Sequence, residues 1–230
     1  MNNKKLENKY VATSMAREDQ AVFDFLVTLK KGMTYEWLEA GAGLGRFAFL
    51  VKNESPKNLK ANIVCLEINK KLVDHLEKTG LQTINESVQR MSFNDETFDL
   101  VHASHLIEHF SYPTIIDVLD ELFRVTKKNG YVIIRSPLMY SGFWNDIDHV
   151  RPYPPKCILQ YFDHAQQQRG GQSKIRLIHS WLRQEAITLN SPNWPGFLSW
   201  PINWLLKSLW IATGYPRDRA NGYVAVFQKI

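Results

Sequence analysis

An acid and three alternating glycines, Glu39, Gly41, Gly43 and Gly45, follow the short apolar run Tyr35–Leu38. The run reads as a buried strand, and the apolar-periodic segment from Phe47 reads as the start of a helix. Glycine permits positive φ and lets backbone come close to a ligand. A helix N-terminus offers free N–H groups and positive potential to a carboxylate or phosphate. Strand, glycine loop and helix together are the geometry that holds part of a nucleotide-like cofactor. The spacing is not the dinucleotide one, because the third glycine of G-x-G-x-x-G counted from Gly41 would fall on Arg46. A second acid, Glu67, ends the buried run Asn62–Leu66, about twenty residues after the loop. There it can accept hydrogen bonds from ribose hydroxyls, although a helix-capping or solvent role is open to it as well. Ile68 beside it can pack on a purine ring.

Imidazoles are the other chemistry-bearing groups. His109 and His149 are the candidates for a general base, since imidazole titrates near neutral pH. His149 is the expected base, and His109 can instead hold its loop or contact the cofactor. His102 and His105 are weaker candidates, His102 because it ends a buried strand. His105, Glu108 and His109 fall at local helical spacing, and His149 could join them around a metal ion.

The elements that position these groups can be read along the chain. Residues 1–31 form a helical prelude in which Ala21, Val22, Phe25, Leu26 and Leu29 share one face. That helix covers the mouth of the site or the sheet face, or simply packs in the core. Asn69–Lys78 is a helix, Gly80–Ile84 a weak strand and Phe98–His102 a strong one. In open α/β sheets ligands lie outside the carboxyl ends of the strands, which places residues 103–109, Ser104 among them, at the site. Thr114–Thr126 is an amphipathic helix closed by Lys127, Lys128 and a C-cap at Gly130, and Tyr131–Ser136 is the next strand, stopped by Pro137. Cys157–Gln168 is a helix, Lys174–Trp181 a strand and Gly222–Lys229 a terminal strand. One domain of 230 residues accommodates all of this.

Here the chain resembles the class I S-adenosylmethionine-dependent methyltransferases. The resemblance is carried by the glycine register after Glu39, then by Met91-Ser92-Phe93, Phe98-Asp99-Leu100-Val101 and Ile107-Glu108-His109. A looser match runs through Leu119, Glu121, Arg124, Val125 and Gly130. It implies a Rossmann-like α/β fold: a seven-stranded, mostly parallel sheet with helices on both faces and the last strand antiparallel. It implies S-adenosyl-L-methionine as cofactor, S-adenosyl-L-homocysteine as product, and contacts from Glu39, Gly41, Gly43, Gly45, Glu67, Ile68, Ser87, Val88 and Ser104. Ser87 stands where the family carries an acid toward the adenine, so a backbone group or Ser87 takes that part. No metal is expected, because position 105 lacks the acid found in the Glu/His metal sites of some small-RNA 2′-O-methyltransferases. Glu121 and Arg124 could form a helix surface pair of small worth.

The loop Leu138–Pro155 follows the fifth strand and resembles a D-x-x-H-x-R-x-Y loop of methyltransferases acting on sugars and other small molecules. Tyr140, Trp144, Asp146 and Arg151 are its expected substrate wall; Asp148, His149 and Arg151 could equally brace the loop. The acceptor is expected to be a small molecule, a glycan or a lipid-linked hydroxyl, with an RNA acceptor or a non-catalytic cofactor-binding domain as the alternatives.

The aromatic insert 190–220 lies between the last two strands. It suits an interfacial element, a lid, a dimer surface or a helix packed on its own domain, with peripheral membrane contact through 194–212 among these. Pro201, Asn203 and Lys207 argue against a bilayer span. The N-terminal residues MNNKKLENKY lack an apolar signal-peptide core, and Cys65 and Cys157 make no disulfide framework, so a cytoplasmic location is expected. A net charge of +5 suits an anionic partner such as nucleic acid or lipid, or is ordinary surface lysine.

Overall fold

The computed structural model describes residues 3–29, 32–54, 60–163, 171, 173–189 and 196–230. In chain order the elements are α1 (Asn3–Leu26), β1 (Thr34–Ala40), α2 (Arg46–Glu54), β2 (Lys60–Leu66), α3 (Lys70–Lys78), β3 (Gln82–Ile84) and β4 (Phe98–Ser104). There follow a 3₁₀ turn at Ile107–His109, α4 (Thr114–Arg124), β5 (Thr126–Pro137), a second 3₁₀ turn at Phe143–Asn145, α5 (Pro155–Phe162), β6 (Ile175–Ala186), α6 (Gly196–Thr213) and β7 (Arg217–Lys229). The strands make one seven-stranded sheet in the order β3-β2-β1-β4-β5-β7-β6. β7 runs antiparallel to both β5 and β6, and the other pairings are parallel. This is the expected fold class.

Alternation along the strands divides the core. Val101, Val132, Ile134, Tyr223, Ala225 and Phe227 pack on α4 and α5 through Val118, Leu122, Ile158 and Phe162. Leu100, Ile133, Val224 and Val226 face the opposite way, onto Val22, Phe25 and Leu26 of α1 and Phe47 and Val51 of α2. The periodic stripe read in the N-terminal helix is therefore sheet-facing.

The first crossing, between β1 and β4, marks where the chain reverses its direction of winding, and the carboxyl ends of these two strands open a crevice. Glu39 on β1 lies in register with His102 on β4.

Two local expectations are corrected. Lys127–Gly130 does not close a helix: α4 stops at Arg124, the Val125 N–H donates to the Glu121 carbonyl, and β5 already begins at Thr126. The ladder pairs Phe98 with Thr126 and then Leu100 with Tyr131, so the intervening residues bulge. Asn129, at φ 64°, takes the left-handed conformation expected of a C-cap glycine. Gly130 is instead pressed against the strand, where an added Cβ would lie 2.9 Å from the Asp99 carbonyl. Nor is Glu121–Arg124 a weak surface pair. Glu121 Oε2 accepts from the Met91 N–H, and Arg124 donates to the Met91 and Phe93 carbonyls and to Asp95, clamping the loop before β4.

The expected helix over Cys157–Gln168 ends at Phe162, and residues 164–170 lie outside the described residues. Within the insert, 190–195, including Trp194, also lie outside them. α6 packs on α1 and β6, with Trp210 buried under the Arg17 guanidinium and Trp200, Leu205 and Leu209 facing out. Among the described residues no helix is long and apolar enough to cross a membrane.

Candidate functional site

The three loop glycines have different jobs. All take positive φ: 69° at Gly41, 57° at Gly43 and 72° at Gly45. A Cβ on Gly41 would meet Leu106 Cδ1 at 2.8 Å, and one on Gly45 would meet Leu76 Cδ2 at 2.5 Å. These two are small because the core crowds them. Among the described residues, a Cβ on Gly43 would meet nothing within 4 Å. Its side is open space, as a ligand-facing backbone requires.

Glu67 fixes this loop. Its Oε2 accepts from the Gly43 N–H and its Oε1 from the Asn69 N–H, each at 2.9 Å. A carboxylate has about four acceptor sites, so two remain for hydroxyls. Ile68 beside it is 68% exposed, presenting an apolar face to solvent. Val88 is buried, and the Ser87 hydroxyl accepts from the Gln89 N–H.

Glu39 and His102 are buried together, with His102 Nδ1 2.8 Å from Glu39 Oε1. Nδ1–H donates to the carboxylate, and Nε2 has no hydrogen-bond partner among the described residues. Burial pushes the His102 pKa down despite that carboxylate, so the ring is neutral and structural, as expected of a strand-end histidine. Burial likewise lifts the Cys65 thiol to about 12, so it is inert.

Beside the loop lies a cavity of about 480 Å³. Glu39, Gly41, Gly43 and Ser104 line it, joined by Glu18 from α1 and by Arg46, Arg135 and Arg183. A smaller cavity of about 180 Å³ lies between α1, β6 and α6, away from the glycines.

Two adjacent acids of α1 hold the arginines. Asp19 Oδ1 lies 2.7 Å from Arg135 Nη1, and Asp19 Oδ2 lies 2.6 Å from Arg46 Nη1. Glu18 pairs with Arg183 at 3.3 Å. Burial would raise both acids, but the hydrogen bonds and charges of their partners outweigh it and both pKa values fall. Arg135 Nε and Nη2 are buried without hydrogen-bond partners among the described residues. The sequence reading overlooked this cluster. Its signals were acids continuing the apolar stripe of α1 at positions 18 and 19, and a lone arginine inside the buried run of β5.

His105 adopts φ 50°, uncommon for a residue other than glycine, while its N–H donates to the Arg135 carbonyl. Burial lowers its pKa, but Glu108 and Glu18 more than reverse that and raise it to about 9; with 43% of its side chain exposed, solvent screens part of the effect.

The residues expected to face the acceptor form a second group. The loop after β5 is tied to the turn at Ile107–His109: Val150 and Arg151 donate their N–H groups to the Glu108 carbonyl, and His109 Nδ1–H donates to the Asp148 carbonyl at 3.0 Å. His149 Nδ1–H donates to the Phe143 carbonyl at 2.8 Å. The ring centroids of His109 and His149 lie 5.2 Å apart, and in the tautomer these bonds select each Nε2 carries the lone pair. Asp146 Oδ2 lies 3.7 Å from His149 Nε2. Trp144 is 59% exposed, and Arg151 stands over the Tyr153 ring. Tyr140, Trp144, Asp146, Arg151, His109 and His149 are not among the residues lining the large cavity, which reaches this group through His105.

Residues 38–134 match the family described as "Methyltransferase domain". A phosphoethanolamine N-methyltransferase of Arabidopsis thaliana is 24% identical over 120 residues, covering 51% of this chain and 24% of that protein. An uncharacterized protein of Methanocaldococcus jannaschii is 27% identical over 145 residues, covering 60% of each. The chain thus spans about a quarter and three fifths of the lengths of these curated relatives. Among solved structures, a SAM-dependent methyltransferase from Archaeoglobus fulgidus superposes with a TM-score of 0.54 at 22% identity, covering 92% of this chain and 94% of that one. That likeness is one of fold, and it agrees with the strand order and the Glu39–Gly45 loop.

Proposed function

We propose that the chain transfers a methyl group from S-adenosyl-L-methionine to a hydroxyl of a small-molecule, glycan or lipid-linked acceptor. The observation that carries the cofactor half is the open side of Gly43, tied by its N–H to Glu67 at the edge of the charged cavity. Glu67 receives the ribose hydroxyls and Ile68 the adenine, with Ser87 and Val88 beside it. The cavity's arginines and acids offer both signs of charge to the amino and carboxylate groups of the methionyl end. When bound, the sulfonium supplies an already activated methyl group, so the protein's task is alignment.

The acceptor side is the His109–His149 group. Backbone carbonyls fix both Nδ1–H bonds, so each ring offers Nε2, and an acceptor hydroxyl meets those lone pairs. Tyr140, Trp144, Asp146 and Arg151 form the acceptor wall. Half-exposed Trp200, Leu205 and Leu209 on α6 suit peripheral contact with a lipid surface, which would bring a lipid-linked acceptor close. The reducing cytoplasm suits the two unpaired cysteines.

Label transfer from methyl-tritiated S-adenosylmethionine tests the acceptor class, using small hydroxyl compounds, phosphorylated amines and RNA side by side. Label on a hydroxyl compound is the expected result. Salt-sensitive transfer to RNA, or transfer to the amines alone, would overturn it.

A further inference from the structure

Glu108, His109 and His149 place a carboxylate oxygen and two imidazole nitrogens within 4.8 Å of one another. Three separate features of these side chains call for an occupant between them. Each histidine donates Nδ1–H to a backbone carbonyl, Asp148 for one and Phe143 for the other. Such bonds lock the tautomer and aim Nε2 as a lone pair, the arrangement found behind metal-bound histidines. The Glu108 side chain is fully buried. Its Oε2 accepts from the Ser136 hydroxyl at 3.0 Å, and its Oε1 faces His105 Nδ1 at 3.2 Å. A buried carboxylate is costly unless cations and hydrogen bonds offset its charge. Finally, the segments carrying the three groups are fastened together by the Val150 and Arg151 bonds to the Glu108 carbonyl.

We infer that Glu108, His109 and His149 form a binding site for one divalent transition-metal ion. Two imidazoles and one carboxylate select zinc, manganese, iron or cobalt over magnesium and calcium, which prefer all-oxygen shells. Metal bonds of about 2.0–2.2 Å set ligand atoms roughly 3–3.5 Å apart, so the most distant pair closes by roughly 1–2 Å. Half-exposed His109 supplies that movement. The expectation of no metal rested on the imidazole at position 105, and this ligand set does not use it.

Three protein ligands leave coordination positions open. Their use by an acceptor oxygen deepens the methyl-transfer reading and rests on it: the ion, rather than a free imidazole, would then meet the hydroxyl. The site itself does not depend on that reading.

Cobalt(II) titration of the chelator-treated full-length chain, followed by visible absorption, tests the site directly, with zinc displacement read by calorimetry. One equivalent of cobalt with ligand-field bands of nitrogen–oxygen coordination is expected, displaced by zinc and not by magnesium or calcium. His149→Ala and His109→Gln should each weaken binding by at least about 100-fold, no less than the loss of an outer partner of a ligand. Two variants are read because a failure of one to fold would leave the other. Each preparation is also titrated with S-adenosylhomocysteine. Binding of that product with no stoichiometric cobalt site, or cobalt affinity unchanged in both variants, overturns the metal site alone. Cobalt binding lost in the variants, in a chain that ignores S-adenosylhomocysteine, upholds the site and removes the methyl-transfer reading.

Discussion

The Gly43 N–H donates to Glu67 Oε2 at 2.9 Å, joining the glycine loop after β1 to the acid at the end of β2. The two strands run parallel in register from Thr34 opposite Lys60 to Ala40 opposite Leu66, so loop and acid leave the sheet side by side. One hydrogen bond thereby holds both halves of the proposed nucleoside site.

Gly43→Val should abolish cofactor binding. The side chain would enter the open space beside the loop, and a branched residue at φ 57° is strained by about 1–2 kcal/mol. Calorimetry should show S-adenosylhomocysteine affinity falling at least 100-fold in a chain that still melts cooperatively. Unchanged affinity would remove the loop from the site.

Glu67→Gln keeps the size of the side chain and removes its charge. Charge-assisted hydrogen bonds are worth about 1.5–3 kcal/mol, so affinity for S-adenosylhomocysteine should fall roughly 10- to 100-fold. Adenine alone should be much less affected, and equal losses for both ligands would argue against a ribose contact.

Asp19 makes stability depend on pH. Burial would raise its pKa, but the hydrogen bonds from Arg46 and Arg135 outweigh burial and lower it. A group depressed in the folded state contributes stability that is complete above its unfolded value, about 3.9, and lost as pH falls through the folded value. Asp19→Asn leaves Arg135 without its buried partner and should cost about 3–5 kcal/mol at neutral pH. It should also flatten the dependence of stability on pH below about 4. Urea unfolding at several pH values measures both, and a parent-like slope would contradict the assignment.

Phe123 is fully buried on α4, its ring 4.6 Å from Phe162 and 6.2 Å from Phe227. Phe123→Ala should cost about 3–5 kcal/mol without changing cofactor contacts. Chemical denaturation tests this, and a loss under 1 kcal/mol would mean that α4 and α5 repack.

The loop and its acid were legible because their signal is local: apolar run, glycines, helix start, then a second run ending in Glu67. The seven-stranded, mostly parallel sheet with its last strand antiparallel followed from the family resemblance those residues carry. Lys127–Gly130 misled because cations and a glycine after an amphipathic helix look alike whether the helix ends there or a strand has begun. Tertiary pairing with Phe98 and Leu100 decided it. The Glu18–Asp19–Arg46–Arg135–Arg183 cluster was illegible for a different reason. It joins residues more than a hundred positions apart, and only the docking of α1 on the sheet brings them together. The partnered Nδ1 atoms of His109 and His149 depend on which backbone carbonyls the loop after β5 presents, which no side-chain spacing encodes.

Calorimetric titration of the purified chain with S-adenosylhomocysteine, with NAD as control, tests the central claim most directly. Micromolar binding of S-adenosylhomocysteine at one site per chain, with none of NAD, is the predicted result. Absence of binding to the unmodified, folded chain would contradict the cofactor site built on Gly43 and Glu67.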